Sequence, residues 1–238
     1  MERDEFKDCV EKLKIGQGSI VSVIGSGGKT TLIQGMARIL AKKFRVALAT
    51  SVKIYCPLPG YPVILKESPA MDIPTETSGV YYVADELLKK EGKLHGFSRE
   101  MLLWTIAHMD VILIEADGSR RLPLKGWAEH EPVVLPQTQI TIGVLPVSLL
   151  GKKIGPAQVH RWDRFCSIAQ IGEGDALTAE HLIRVITSPE GLFGKAVGKK
   201  VLYLAQIAAE EQEKAVAELK KDRRLKNIDC ILAGRAWT

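Results

Sequence analysis

A chain of 238 residues, 46% hydrophobic and 26% charged, can bury a sizeable core and has the balance of an ordinary globular protein. Its net charge of +5 is mild and the cations are scattered, which disfavours a nucleic-acid-binding arm. The four cysteines (Cys9, Cys56, Cys166, Cys230) are far apart and form no C-x-x-C pair, which excludes a disulfide framework and a thiolate metal site and fits a reducing cytoplasm. Residues 1–14 have helical spacing, with Phe6, Val10 and Leu13 on one side. Their charged start carries no apolar segment of the signal-peptide kind, and no run is long enough to span a bilayer, so a soluble cytoplasmic protein is expected.

Gly16-Gln17-Gly18 turns into the most informative stretch, Ile20 to Leu32. The apolar, β-branched run Ile20 to Ile24 reads as a buried parallel strand, which breaks into Gly25-Ser26-Gly27-Gly28. From Lys29 onward the period is helical, with Leu32, Ile33, Met36, Ala37 and Leu40 on one stripe. Strand, glycine turn and helix start are the parts of a phosphate cradle: main-chain N–H groups face an anion and the helix dipole favours negative charge there. Gly25, Ser26, Gly27, Gly28, Lys29, Thr30 and Thr31 are therefore the nucleotide-binding candidates. Lys29 supplies a point charge to the outer phosphates and Thr30 a hydroxyl for Mg²⁺. The loop is a shortened G-x-x-G-K-T, since Val23 stands where the longer pattern has its first glycine; its spacing is similar to that of Mur-type ligases.

Arg45 to Thr50 reads as a second buried strand, parallel to the first through a right-handed crossover. Thr50 and Ser51 at its carboxyl end either touch the Mg²⁺ shell or cap a turn. The proline-rich run at about 56–78 excludes a long helix and leaves loops with one short edge strand, Val63 to Leu65. Val80 to Val83 follows as a strand, and Ser98 to Met109 as a helix with Ser98 as N-cap and Glu100 in its first turn.

Val111 to Ile114 is continuously apolar, hence buried on both faces, and ends in Glu115 and Asp117, which share a side if the strand continues. Acids at the end of such a strand are what a nucleotide site needs to hold Mg²⁺ or to orient a water. Thr30, Glu115 and Asp117 are thus the metal candidates, and Lys29, Glu115, Asp117 and Arg120 the catalytic ones. Arg120 and Arg121 either reach anionic oxygens or lie on the surface. Further strands are expected at Thr138 to Val147, Lys200 to Ala205 and Ile228 to Ala233. Helices are expected at Trp162 to Ala169, Thr178 to Ile186 and Ala208 to Lys221. The basic run Lys220, Lys221, Arg223, Arg224 and Lys226 reads as a solvated helix end. Strand–helix alternation at both ends implies one doubly wound sheet over 1–238.

On these residues the chain resembles the YqeC family of P-loop proteins. The match lies in Gly25 to Leu32; in Thr50-Ser51 with Lys53, Ile54 and Pro57; in Glu115 to Lys125 with Ala128 to Val133; and in Val159-His160-Arg161. The resemblance implies an α/β, three-layer P-loop NTPase-like domain with a mostly parallel central sheet. It further implies an NTP-binding accessory factor in selenium cofactor biosynthesis or in maturation of selenium-dependent molybdenum hydroxylases. Such a hydroxylase or its cofactor would be the partner, with no role for nucleic acid or membrane. His130, His160 and Arg161 match family positions and join Thr50, Ser51 and Arg121 as substrate or accessory candidates. Each histidine is either a proton carrier or substrate contact, or a structural bond between loops. Cys56 is either a carrier of a sulfur or selenium adduct or a small apolar side chain.

Relatives resemble GTPases in having an Asn-Lys-x-Asp type segment after a late strand; here that place reads Ala205-Gln206-Ile207-Ala208, with no carboxylate for a guanine edge, which favours ATP over GTP beside Mg²⁺. Two other readings of the same loop are a small-molecule kinase or ligase and a nucleotide-gated cofactor carrier that does not hydrolyse.

Overall fold

Apolar runs become strands wherever glycine or charged residues bound them, and segments of helical period become helices. The computed structural model describes residues 4–51, 54–55, 61–66, 77–90 and 92–235. In chain order the elements are α1 (Asp4–Leu13), β1 (Ser19–Gly25), α2 (Lys29–Leu40), β2 (Arg45–Thr50), β3 (Ile54–Tyr55), β4 (Val63–Leu65) and β5 (Gly79–Ala84). Then come β6 (Glu86–Leu88), β7 (Lys93–His95), α3 (Arg99–His108), β8 (Val111–Glu115), β9 (Leu124–Lys125), β10 (Ile140–Pro146) and β11 (Val159–His160). The last are α4 (Trp162–Ala169), α5 (Ala179–Thr187), β12 (Lys199–Ile207), α6 (Glu210–Leu219) and β13 (Cys230–Arg235). The parallel strands neighbour one another in the orders β13-β12-β10 and β8-β2-β5-β4. The fold class is the expected one: α/β, three-layer and P-loop NTPase-like, with a parallel central sheet.

By internal packing the chain divides into two units, Met1–Ser22 with Thr30–Gly118 and Val23–Lys29 with Ser119–Thr238. In the first, β2 pairs in parallel with β5 and with β8, and β4 lies parallel on β5 as the outer strand. Val46, Ala47, Val111, Leu113 and Ile114 are buried, as the continuous apolar runs require. Phe6 of α1 lies directly over Gly35 of α2: a Cβ at Gly35 would stand 2.4 Å from the ring, so only glycine admits this packing. Asp110 anchors the start of the strands. Its carboxylate accepts from the Arg45 main-chain N–H at 2.8 Å and from the Arg45 guanidinium at 3.2 and 3.3 Å, which holds the acid below the usual carboxylate range. Ser98 caps α3 as expected, its hydroxyl accepting from the Met101 N–H at 3.3 Å.

The second unit has β10 parallel to β12 and β12 parallel to β13. Thr178 caps α5 in a reciprocal arrangement with His181. Arg224 of the basic run pairs with Glu180 and Asp222 at 2.8 and 2.7 Å, in keeping with a solvated charge cluster.

Several short strands were not expected. The antiparallel set β3-β7-β6 and the parallel pair β9–β11 are two or three residues per strand, too short to leave a period. β6 and β7 form a local hairpin, while β3–β7 and β9–β11 pair residues far apart in the chain. Cys56, Lys53, Pro57 and most of the proline-rich run lie outside the described residues. Among the described residues no helix is long and apolar enough to cross a membrane.

Candidate functional site

β1 ends at Gly25, whose φ of +98° is open to glycine and strained for other residues. A Cβ there would stand 2.2 Å from the Val144 carbonyl oxygen of β10. Gly27, at φ +68°, packs on Pro146, whose Cγ lies 2.5 Å from where a Cβ would be. The turn is therefore glycine-rich because β10 passes directly against it.

The hydrogen bonds of the turn alternate in direction. The Lys29 ammonium donates to the Gly25 carbonyl at 2.6 Å, while the N–H of the same peptide, on Ser26, donates to Val144 O at 3.0 Å. In a trans peptide these two groups point opposite ways. One peptide on, the Gly27 carbonyl accepts from the Gln206 carboxamide nitrogen at 2.7 Å, which turns the Gly28 N–H away from Gln206. Gln206 is braced at its other end by the Ser148 hydroxyl, 2.8 Å from its oxygen, and holds a left-handed φ of +62° at an irregularity of β12. Lys29 is 3% exposed. The Ser26 hydroxyl is wholly buried and has no hydrogen-bond partner among the described residues. Leaving such a group unsatisfied costs about 1–3 kcal/mol, so the hydroxyl calls for a partner that the described residues do not supply. Both observations fit a phosphate-holding loop.

In the first unit Thr30, exposed at the start of α2, donates to the Glu115 carboxylate at 3.2 Å. Cis oxygens on an octahedral Mg²⁺ stand about 3 Å apart, given metal–oxygen distances near 2.1 Å. A threonine hydroxyl and a carboxylate oxygen at this separation are the right donor type and spacing for that ion. No group of three or more His, Cys, Asp or Glu that could hold a metal occurs among the described residues. Glu115 ends β8, so the condition for Asp117 to share its side is not met: Glu115 is half-buried and Asp117 fully buried beyond the strand. Thr31 is exposed. Thr50 donates its hydroxyl, and Ser51 its main-chain N–H, to the Glu115 main-chain oxygen, both at 3.2 Å. This pair closes the β2–β8 end and thereby fixes the backbone that carries the Glu115 carboxylate.

Of the remaining candidates, Arg120, Arg121 and His130 are exposed. Arg161 forks onto Glu131 at 2.5 and 3.2 Å, and the wholly buried Lys125 side chain reaches the same carboxylate at 3.0 Å. His160, half-buried, is pushed down to about 4 by burial first, then by the charges of Arg161, Lys125 and Arg120. The family model described as "YqeC protein" matches residues 21–163, from β1 to this Arg161 segment.

The chain belongs to the YqeC family. It is 31% identical over 223 residues to a protein of Escherichia coli (strain K12) named "Uncharacterized protein YqeC", covering 91% of this chain and 87% of that one. No solved structure matches it. In this YqeC-family chain, sequence reasoning missed Gln206 and the buried Lys125–Glu131 pair. Gln206 lies in a segment notable in the sequence only for lacking a carboxylate, and a lone amide carries no signal until a carbonyl is found against it. Lys125 and Glu131 lie six residues apart in a loop-rich segment, where spacing says nothing of contact.

Proposed function

We propose that this YqeC-family chain binds the phosphates of a nucleoside triphosphate, ATP rather than GTP, together with Mg²⁺. The observation that carries this reading is the buried Ser26 hydroxyl, without a partner among the described residues, set in a glycine turn that leads directly into Lys29. The amides of Gly27, Gly28 and Lys29 and the Lys29 ammonium hold the phosphates, with Thr31 at the same helix start. Thr30 and Glu115 hold the metal, with Asp117 in reserve as a second acid beyond β8. Magnesium, when bound, neutralises phosphate charge and orients the terminal group. The chain's own contribution is positional and electrostatic. ATP is favoured because the segment Ala205 to Ala208, where relatives carry a guanine-reading acid, offers no carboxylate.

The likeness in sequence extends the reading to a cytoplasmic accessory factor of selenium cofactor biosynthesis or of selenium-dependent molybdenum hydroxylase maturation. A kinase or ligase reading is favoured only by the shortened G-x-x-G-K-T spacing at Gly25 to Thr30. Calorimetry with ATP and GTP in the presence of Mg²⁺ tests the proposal: ATP is expected to bind more tightly, and Lys29→Ala to abolish binding. Near-wild-type affinity in Lys29→Ala would refute the roles given to the loop.

A further inference from the structure

The parallel pair β9–β11 sets Lys125 opposite His160 in register. Glu131 lies against this pair and takes the Lys125 ammonium at 3.0 Å and both Arg161 guanidinium nitrogens at 2.5 and 3.2 Å. The charges acting on the His160 ring are three cations, Arg161, Lys125 and Arg120, against the one acid, Glu131. Together with burial they keep the imidazole neutral, so it presents one N–H donor and one acceptor. Arg120, Arg121 and Arg161 all have left-handed backbone, with φ of 50°, 63° and 57°. Bulky side chains adopt that conformation only where their surroundings hold them in it, and such residues gather at binding sites. The group opens to solvent on one side: the Arg161 side chain is 27% exposed, His160 is half-buried and Arg120 is exposed.

We propose that Arg120, His160 and Arg161 form a subsite for a small oxyanion group, a carboxylate or a phosphate, carried by a substrate. The buried Lys125–Glu131 pair fixes the Arg161 fork, so that the guanidinium N–H groups not spent on Glu131 keep one direction. Arg120 adds a second guanidinium, and the neutral ring N–H of His160 adds a short-range donor without a charge to be solvated. The positive potential that disfavours protonation of His160 is the same potential that draws an anion to it. This subsite does not depend on nucleotide binding, since it uses none of the glycine-turn residues.

The test is NMR titration of the His160 ring in the full chain, assigned by comparison with His160→Gln, with inorganic phosphate or acetate added at constant ionic strength set by chloride. A saturable shift of the ring resonance is expected, with its pKa rising by about one unit once the anion is bound. Arg120 is exposed, so Arg120→Gln keeps the fold; it is expected to weaken the anion at least tenfold. Saturation by acetate alone assigns a carboxylate, and by phosphate alone a phosphate. Repeating the titration in Lys29→Ala separates this subsite from the phosphate loop, because the His160 response is expected to persist there. Absence of a saturable response to either anion, or equal affinity in Arg120→Gln, overturns the proposal.

Discussion

Replacing Glu131 by glutamine keeps the volume of the side chain and removes the charge that two cations share. The Lys125 side chain is 0% exposed and Glu131 7% exposed, so water cannot take over for the lost carboxylate at the lysine. Arg161, at 27% exposed, can recover part of its solvation. Breaking a buried ion pair at one partner costs about 3–5 kcal/mol, and the partly wet arginine places this case near the lower end, at about 3 kcal/mol. For a chain of this size each kcal/mol lowers Tm by roughly 2–4 °C, which gives a fall of about 6–12 °C. The control is Glu210→Gln, which removes an exposed helical pair with Lys214 whose side chains are 76% and 69% exposed. Such pairs contribute about 0.3–0.5 kcal/mol, within about 2 °C. Thermal and urea unfolding of both variants read the difference. A loss in Glu131→Gln no larger than in Glu210→Gln would refute the argument that this carboxylate is what allows a lysine to be buried here.

Gly25→Ala is expected to destabilise by about 2 kcal/mol or more, since the left-handed backbone alone accounts for about 1–2 kcal/mol and the new Cβ would meet the Val144 oxygen at 2.2 Å. Gly18→Ala, at φ +80° with nothing within 4 Å of the new atom, isolates the backbone part; equal losses in the two variants by urea unfolding would show that β10 does not constrain the turn. The pH dependence follows from His160, pushed down by burial and neighbouring cations to about 4 from the ordinary histidine value of 6.5. Between those values the unfolded chain binds more protons, so stability is full above about 6.5 and is lost as pH falls toward 4, by on the order of 1 kcal/mol after solvent screening. Asp110, also lowered, adds to the loss only further down in acid. Urea midpoints in wild type and His160→Gln measure the His160 share, and an identical pH slope in the two proteins would contradict it.

What could be read from the sequence was whatever repeats along a strand or helix or sits in one unbroken run. The runs Ile20 to Ile24 and Val111 to Ile114 are buried strands because a run apolar on every residue has no polar face to turn to water. Ser98 and Thr178 cap helices because a hydroxyl ahead of a periodic segment satisfies an otherwise orphan N–H. The glycine turn was legible for the same reason: its residues are consecutive, and β10 passing against Gly25 and Gly27 is the tertiary cause of a local pattern. The rest depends on who lies opposite whom. Thr30 meets Glu115 across 85 positions and Gln206 meets Gly27 across 179, and neither distance leaves any trace in spacing. The strand stopping at Glu115 was equally hidden, since Ala116 and Asp117 are buried and nothing apolar fails there.

Gln206 shows how far a single side chain can join two tasks. Its carboxamide oxygen accepts from Ser148 and its nitrogen donates to Gly27, so any base edge bonded to this side chain would have to displace one of those two partners. Displacing Gly27 frees the peptide whose other end is the Gly28 N–H, and a peptide plane free to rotate no longer presents that N–H in a fixed direction. Displacing Ser148 frees the oxygen end and leaves the amide to pivot about its remaining bond, with the strained φ of +62° no longer held from both sides. In either case a base contact at Gln206 would loosen the glycine turn. A glutamine bonded at both ends therefore braces the glycine turn best when it makes no other polar contact, which ties the left-handed backbone at Gln206 to the direction of the Gly27–Gly28 peptide.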